Sequence, residues 1–253
     1  MNEFTTFIGV DLAWRSGRNP SGIVVARGGR SGAELVDCSS DIACLQDIID
    51  YIISHTTSST VVAIDAPLII NNKTGQRPCE KRISQKFGKY HAAAHSSSLK
   101  RYPEPGGVKL AECLKEKGFS HNPDPTTDKL RTGQWFFEVY PHAAHVMLFD
   151  LPRIIKYKKG RVAEKRRGLQ RFRRYLEKLA AAGPPFLPNE MLKELLQKNV
   201  EELKGKSLKQ YEDILDALLC AYLALFYWRW GEEKNEMIGD LKSGYIINPT
   251  ESL

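Results

Sequence analysis

The sequence contains no apolar run approaching the roughly 20 residues needed to cross a bilayer, which argues against a membrane partner. Its opening, MNEFTTFIGV, lacks the basic region and long apolar stretch of a secretory signal, so the expected location is the cytoplasm. Paired cysteines are missing too. The five present (Cys38, Cys44, Cys79, Cys113 and Cys220) are scattered, form no C-x-x-C and have no histidine at zinc spacing. Reduced thiols are expected, and a structural zinc site is not. Internal repeats and low-complexity tracts are also absent.

The 253 residues, 42% hydrophobic and 26% charged, suit one globular domain. Thr6 to Leu12 (TFIGVDL) and Gly22 to Ala26 (GIVVA) flank the turn residues Ser16, Gly17, Asn19 and Pro20, which predicts a β-hairpin. A short strand is expected near Ala33 to Asp37, then a helix over Asp41 to Ile53 behind the cap signals Ser39, Ser40 and Asp41. Val61 to Ile64 reads as a buried strand ending on Asp65. From about 71 to 133 the pattern loosens: Pro78, Pro103, Pro105, Pro123 and Pro125 punctuate short helical stretches, of which Lys109 to Lys117 is the clearest. This stretch reads as an insertion in a single domain spanning 1–253. Trp135 to Val139 forms a strand carrying Glu138, with a helix or turn from Ala143 to Phe149. Helices follow near Asn189 to Leu203 and Leu208 to Trp230, and a last strand covers Gly244 to Ile247.

Three acidic signals stand out: Asp11 in GVDLAW, Asp65 in VVAIDAPL, and Asp213 with Asp216 in YEDILDALLCAYLALF. An acid in an apolar strand is costly to bury unless it is hydrogen-bonded, protonated or sharing a cation. The D-x-x-D spacing puts both helical carboxylates on one face. Singly, each acid reads equally well as a turn or helix cap; together they point to one site. Hard carboxylate oxygens without thiolates or a close histidine pair suit Mg2+ or Mn2+. Two such ions about 4 Å apart would activate water and stabilise the leaving oxygen of a phosphodiester.

A net charge of +7 is compatible with a polyanionic partner. Its strongest local expression is Lys156 to Arg174, with ten lysines and arginines (156, 158, 159, 161, 165, 166, 167, 171, 173 and 174) against Glu164 alone. That imbalance favours a phosphate-facing surface over an ion-paired helix face. Arg77 and Arg82 could reach phosphate oxygens from one loop or helix, or stand as solvated surface charges, and His142 could orient water, contact phosphate or tune Glu138, or equally satisfy a backbone carbonyl. The aromatic residues Tyr222, Phe226, Tyr227, Trp228 and Trp230 read as core.

The acids GVD at Gly9 to Asp11, AID at Ala63 to Asp65 and DILDALLCA at Asp213 to Ala221 resemble the ribonuclease H-like superfamily, and locally RuvC-type Holliday junction resolvases. Over nearly the whole chain the sequence is similar to domain of unknown function family four-two-nine, described as predicted nucleases of that fold. The motifs carrying the likeness are IDAPL at Ile64 to Leu68, RPCEKR at Arg77 to Arg82, EVYPHA at Glu138 to Ala143, K-x-x-x-G-R at Lys156 to Arg161, the D-x-x-D-A-L helix, and GYIINP at Gly244 to Pro249. The resemblance implies an α/β ribonuclease H-like fold, a mixed five-stranded sheet flanked by helices with a helical or loop insertion. It also implies a metal-dependent nuclease of DNA or RNA in which Asp11, Asp65, Asp213 and Asp216 hold Mg2+ or Mn2+ and Glu138 belongs to the catalytic set. Arg77, Arg82, His142, Lys156, Arg161, Arg166 and Arg167 are the expected substrate contacts. Two other readings are a non-catalytic nucleic-acid or protein-binding module of the same fold and an ATP-dependent phosphotransferase. Against the phosphotransferase stands the lack of a second glycine-rich phosphate loop after Asp65.

Overall fold

The computed structural model describes residues 4–13, 20–121 and 133–253. The turn residues Ser16, Gly17 and Asn19 and the prolines Pro123 and Pro125 lie outside them. The chain forms an α/β fold built on a mixed five-stranded sheet of order β3-β2-β1-β4-β5. These strands are β1 (Thr5–Asp11), β2 (Ser21–Gly29), β3 (Gly32–Ile42), β4 (Ser59–Asp65) and β5 (Gly133–Glu138). β1 runs antiparallel to β2, and β2 to β3, whereas β4 is parallel to β1 and β5 parallel to β4. The helices are α1 (Leu45–Ser54), α2 (Pro78–Phe87), α3 (Gly106–Glu116), α4 (Pro141–Leu148), α5 (Val162–Leu176), α6 (Glu190–Gln197) and α7 (Gly205–Trp230). A separate hairpin, β6 (Asn235–Asp240) with β7 (Gly244–Pro249), packs Ile238 and Ile246 with Cys79, Ile83 and Phe87 of α2.

Side chains alternate across a strand, so parity assigns each residue to a layer. Phe7, Val61, Ala63 and Phe137 join the core on the α7 side, while Ile8, Val10, Val62, Ile64 and Phe136 join the opposite core with Ile48, Ile49 and Ile52 of α1 and Leu110 and Leu114 of α3. Asp11 and Asp65 share the parity of Phe7 and Ala63. Both therefore belong to the α7 layer, directly in register across β1 and β4.

What lets α7 come down onto that layer is the lack of a side chain at Gly9. A Cβ there would lie 2.0 Å from the backbone nitrogen of Ala221 and 2.1 Å from the carbonyl oxygen of Ala217. Gly22 on β2 is pressed in the same way against the Asp213 carbonyl, 2.4 Å from where its Cβ would stand. Since neither contact is a flexible side-chain tip, Gly9→Ala is expected to destabilise by roughly 2–3 kcal/mol, the scale of overpacking a tight interior, as read by denaturant unfolding.

Three local expectations change. β3 runs on through Ser39, Ser40 and Asp41 to Ile42, because that stretch pairs with β2, and the helix start shifts to Cys44, whose Sγ accepts from the Asp47 N–H at 3.3 Å. β6 was not anticipated; its glycine and alternating charges mask an edge hairpin held by β7. The aromatic residues of α7 are core as expected, with Tyr222, Phe226 and Tyr227 buried and Trp228 and Trp230 packed against them. All five cysteines are free thiols. Among the described residues no helix is long and apolar enough to cross a membrane.

Candidate active site

β1 and β4 end side by side at Asp11 and Asp65, and α7 passes over them with Asp213 one turn beyond the Gly9 contact region. Asp11, Asp65 and Asp213 line one cavity of about 610 Å³. Its cover comes from two segments, one around His91 to His95 after α2 and one from Ile154 to Lys159 before α5. The segments are tied together by the Ile154 N–H donating to the Tyr90 carbonyl at 2.9 Å. Lys156, Lys158, Lys159, Lys209, Tyr140, His142 and Tyr157 complete the polar lining.

Asp216 is fully buried and does not line the cavity; it sits behind it. It accepts a 2.5 Å hydrogen bond from the Tyr157 hydroxyl, and its Oδ2 lies 2.8 Å from Lys158 Nζ. That second contact is an ion pair without good hydrogen-bond direction, since Asp216 Oδ2 has no hydrogen-bond partner among the described residues. Lys158 also stands 3.9 Å from Asp11 Oδ2. Lys209 binds Asp213 and, at 2.9 Å, Glu212 Oε1.

The electrostatics follow from packing like charges at the edge of a core. Burial, then the charge of Asp11, pushes the Asp65 carboxyl well above the usual carboxylate range. Burial and then Asp11 push Asp213 up to about 8 against the pull of Lys209. Asp11 is raised as well, by burial first, with Lys158 opposing. Asp216 differs. Burial would raise it, but the Lys158 ammonium together with His142 and His145 holds it below the ordinary value. In return, burial works against the Lys158 charge while Asp216 and then Asp11 overcome it, keeping the ammonium protonated. His142 is pushed down to about 4 by burial and then by Lys158, so its imidazole is neutral at pH 7.

The donor set suits a hard divalent cation in kind: three carboxylates face one cavity, and Asp213 Oδ2 is buried without a hydrogen-bond partner among the described residues. Among the described residues no three His, Cys, Asp or Glu side chains stand together as a ready-made ligand set. Positive charge beside the acids is supplied by Lys158 and Lys209.

Two expected site residues lie elsewhere. Glu138 pairs in register with Ile64, which puts it on the opposite parity to Asp65. Its carboxylate is spent on Arg77, with Nη2–Oε1 at 2.6 Å and Nη1–Oε2 at 2.9 Å, and on the Leu68 N–H at 2.9 Å. Arg77 is itself 1% exposed and binds Glu80 at 2.8 Å and the Ile69 carbonyl at 3.1 Å. The pair forms an internal clamp and, with Asp65, lines a second and smaller pocket beside the cavity.

The basic run is likewise divided. Arg166 donates to the Leu203 carbonyl at 2.8 and 3.1 Å, and Arg173 to the Lys198 carbonyl at 2.8 Å, so both are tied to the structure. Arg82, Arg161 and Arg167 are exposed but do not line the cavity, whereas Lys156 and His142 do. Lys158, Tyr157, Tyr140 and Lys209 were not singled out beforehand. Lys209 carried a signal, four residues before Asp213 on one helix; Lys158 carried none beyond its place in the basic run.

Among protein families, the model described as "Protein of unknown function (DUF429)" matches residues 9–240. No curated protein and no solved structure matches the chain.

Proposed function

Since the chain belongs to the DUF429 family, a family of unknown function whose model spans most of its length, we propose from the site itself that it is a divalent-metal-dependent hydrolase of phosphodiester bonds in nucleic acid. The observation carrying this reading is the convergence of Asp11, Asp65 and Asp213 on one cavity wall with the Lys158 ammonium beside them. The strand order, with β1, β2 and β3 antiparallel and β4 and β5 parallel to β1, is consistent with the ribonuclease H-like arrangement the sequence resembles and supports this reading.

Asp11, Asp65 and Asp213 would hold Mg2+ or Mn2+, and the ion would supply Lewis-acid polarisation of the phosphate and a lower pKa for the attacking water. Asp216, given over to Lys158 and Tyr157, acts as the buried anchor of the lysine. Lys158 then contributes a fixed positive charge where a second ion would otherwise be needed, aimed at phosphate oxygens that gain charge as the water oxygen bonds to phosphorus and the ester P–O bond breaks. His142, neutral at pH 7, would accept the proton lost by an attacking water, and the leaving oxygen would take a proton from solvent. Lys156 and Lys159 at the rim hold the chain's adjacent phosphate.

The test is cleavage of labelled single-stranded, duplex and branched DNA and RNA with Mn2+ or Mg2+, comparing wild type with a folded Asp11→Asn variant. Metal-dependent cleavage falling by about 10²–10³-fold or more is expected, the scale of losing one preorganised electrostatic contact. Absence of metal-dependent cleavage on every substrate would turn the reading towards a binding module.

A further inference from the structure

The three acids do not lie on an open face. They lie in the wall of a cavity of about 610 Å³, within the roughly 300–1,000 Å³ range of sites that enclose one small organic molecule. Two chain segments contribute to its walls and are hydrogen-bonded to each other through Ile154 and Tyr90. A paired duplex, whose bases are stacked inside and whose backbone forms the outside, has no protruding unit that could enter such a space; a nucleotide out of the stack does.

The lining has the two chemistries that a nucleotide needs, placed side by side. Tyr140 and His142 are stacked with ring centroids 5.6 Å apart and planes 14° from parallel, and His142 continues the stack towards Tyr157 at 6.0 Å. Tyr140 is held from the cover, its hydroxyl donating to the Ala93 carbonyl at 3.1 Å. Ile154 and Leu12 extend this wall as apolar surface. Opposite chemistry stands at the mouth. Lys156 and Lys159 are exposed and have no ion pair among the described residues, so both ammoniums are free for a phosphate.

We propose that this cavity is a subsite for one unstacked nucleotide, its base against the Tyr140–His142 wall and its phosphate between the free ammoniums of Lys156 and Lys159. The inference rests on the phosphodiesterase reading only for its consequence, which is that strand ends or free nucleotides reach the acids and the interior of a duplex does not. Stacking makes the site tolerant of base identity, because every base has a π face.

Binding of adenosine 5′-monophosphate, ribose 5-phosphate and a single-stranded tetranucleotide to the wild-type protein, measured by titration calorimetry, tests this without any cleavage. The nucleotide is expected to bind at least about tenfold more tightly than ribose 5-phosphate, the scale of one base stacked on an aromatic side chain. Tyr140→Ala should erase that preference, while Tyr140→Phe, which keeps the ring, should retain it. A tetranucleotide binding more tightly than the mononucleotide assigns the subsite to strand ends; equal binding assigns it to free nucleotides. Equal affinity for adenosine 5′-monophosphate and ribose 5-phosphate, or a preference untouched by Tyr140→Ala, would overturn the subsite. Nucleotide binding without metal-dependent cleavage would remove the hydrolase reading and leave the subsite standing. Cleavage of duplex interiors without a nucleotide preference would do the reverse.

Discussion

Asp65→Asn is expected to raise the thermal midpoint of the metal-free protein while removing the proposed metal-dependent hydrolysis. Asp65 lies in register beside Asp11, and burial followed by that neighbouring charge pushes its carboxyl well above the usual range. An amide of the same shape relieves the repulsion. A gain of roughly 1–2 kcal/mol is typical for relief of a strained functional site, which for a chain of this size is about 2–8 °C. The pH dependence has a definite sign. Asp11, Asp65 and Asp213 are all raised, so these three groups hold more protons in the native state than in the unfolded chain above about pH 4. Their contribution is complete below the unfolded value and is lost as pH rises, with Asp213 titrating at about 8. Asp216 is lowered instead, and its contribution is lost only on acidification below the ordinary carboxylate value. The buried histidines, His142 among them, are lowered and act in the opposite sense equally in both proteins, so in chelator the margin of the variant's midpoint over the wild type's should widen from pH 5 to pH 8. Mg2+ or Mn2+ should restore the wild type chiefly at pH 8 and the variant little. A midpoint in Asp65→Asn equal to or below that of wild type at pH 8 would mean that the acids are not in electrostatic conflict.

Arg77→Met should have the largest effect on folding, a loss of about 3–5 kcal/mol, because it strands two buried carboxylates. The guanidinium joins Glu80 at the start of α2, Glu138 at the end of β5 and the Ile69 carbonyl beyond β4. Three separate parts of the chain lose their common partner at once. For a chain of this length the midpoint should fall by roughly 6–20 °C. Because Arg77 does not line the main cavity, any activity lost should return when the folded fraction is restored by cooling or osmolyte. Activity abolished with an unchanged melting curve would instead place Arg77 in the chemistry.

These two variants also mark how far the sequence could be read. Asp65 and Glu138 look alike in it: each ends an apolar strand and each precedes a proline-containing turn. What separates them is strand parity relative to α7, which depends on which face each strand turns to the helix, and a partner 61 residues away in Arg77. Neither is a local property. The D-x-x-D pair was legible as a unit because helical spacing is local, but its division of labour was not, since Asp216 is claimed by Tyr157 and Lys158 from the irregular segment before α5. That segment has no periodicity to read. Its place is set by contacts such as the Ile154 hydrogen bond to Tyr90, from the part of the chain read as an insertion.

Gly9 bears on how such a site can drift. Its contact with Ala217 and Ala221 is main chain against main chain, so the gap between the strand acids and the helix acids is set by atomic radii common to every amino acid. Core side chains farther along α7 can be exchanged without resetting that gap. Only a change at Gly9, or at Gly22 against the Asp213 carbonyl, acts on it directly, so the spacing of the site and the filling of the core can vary separately.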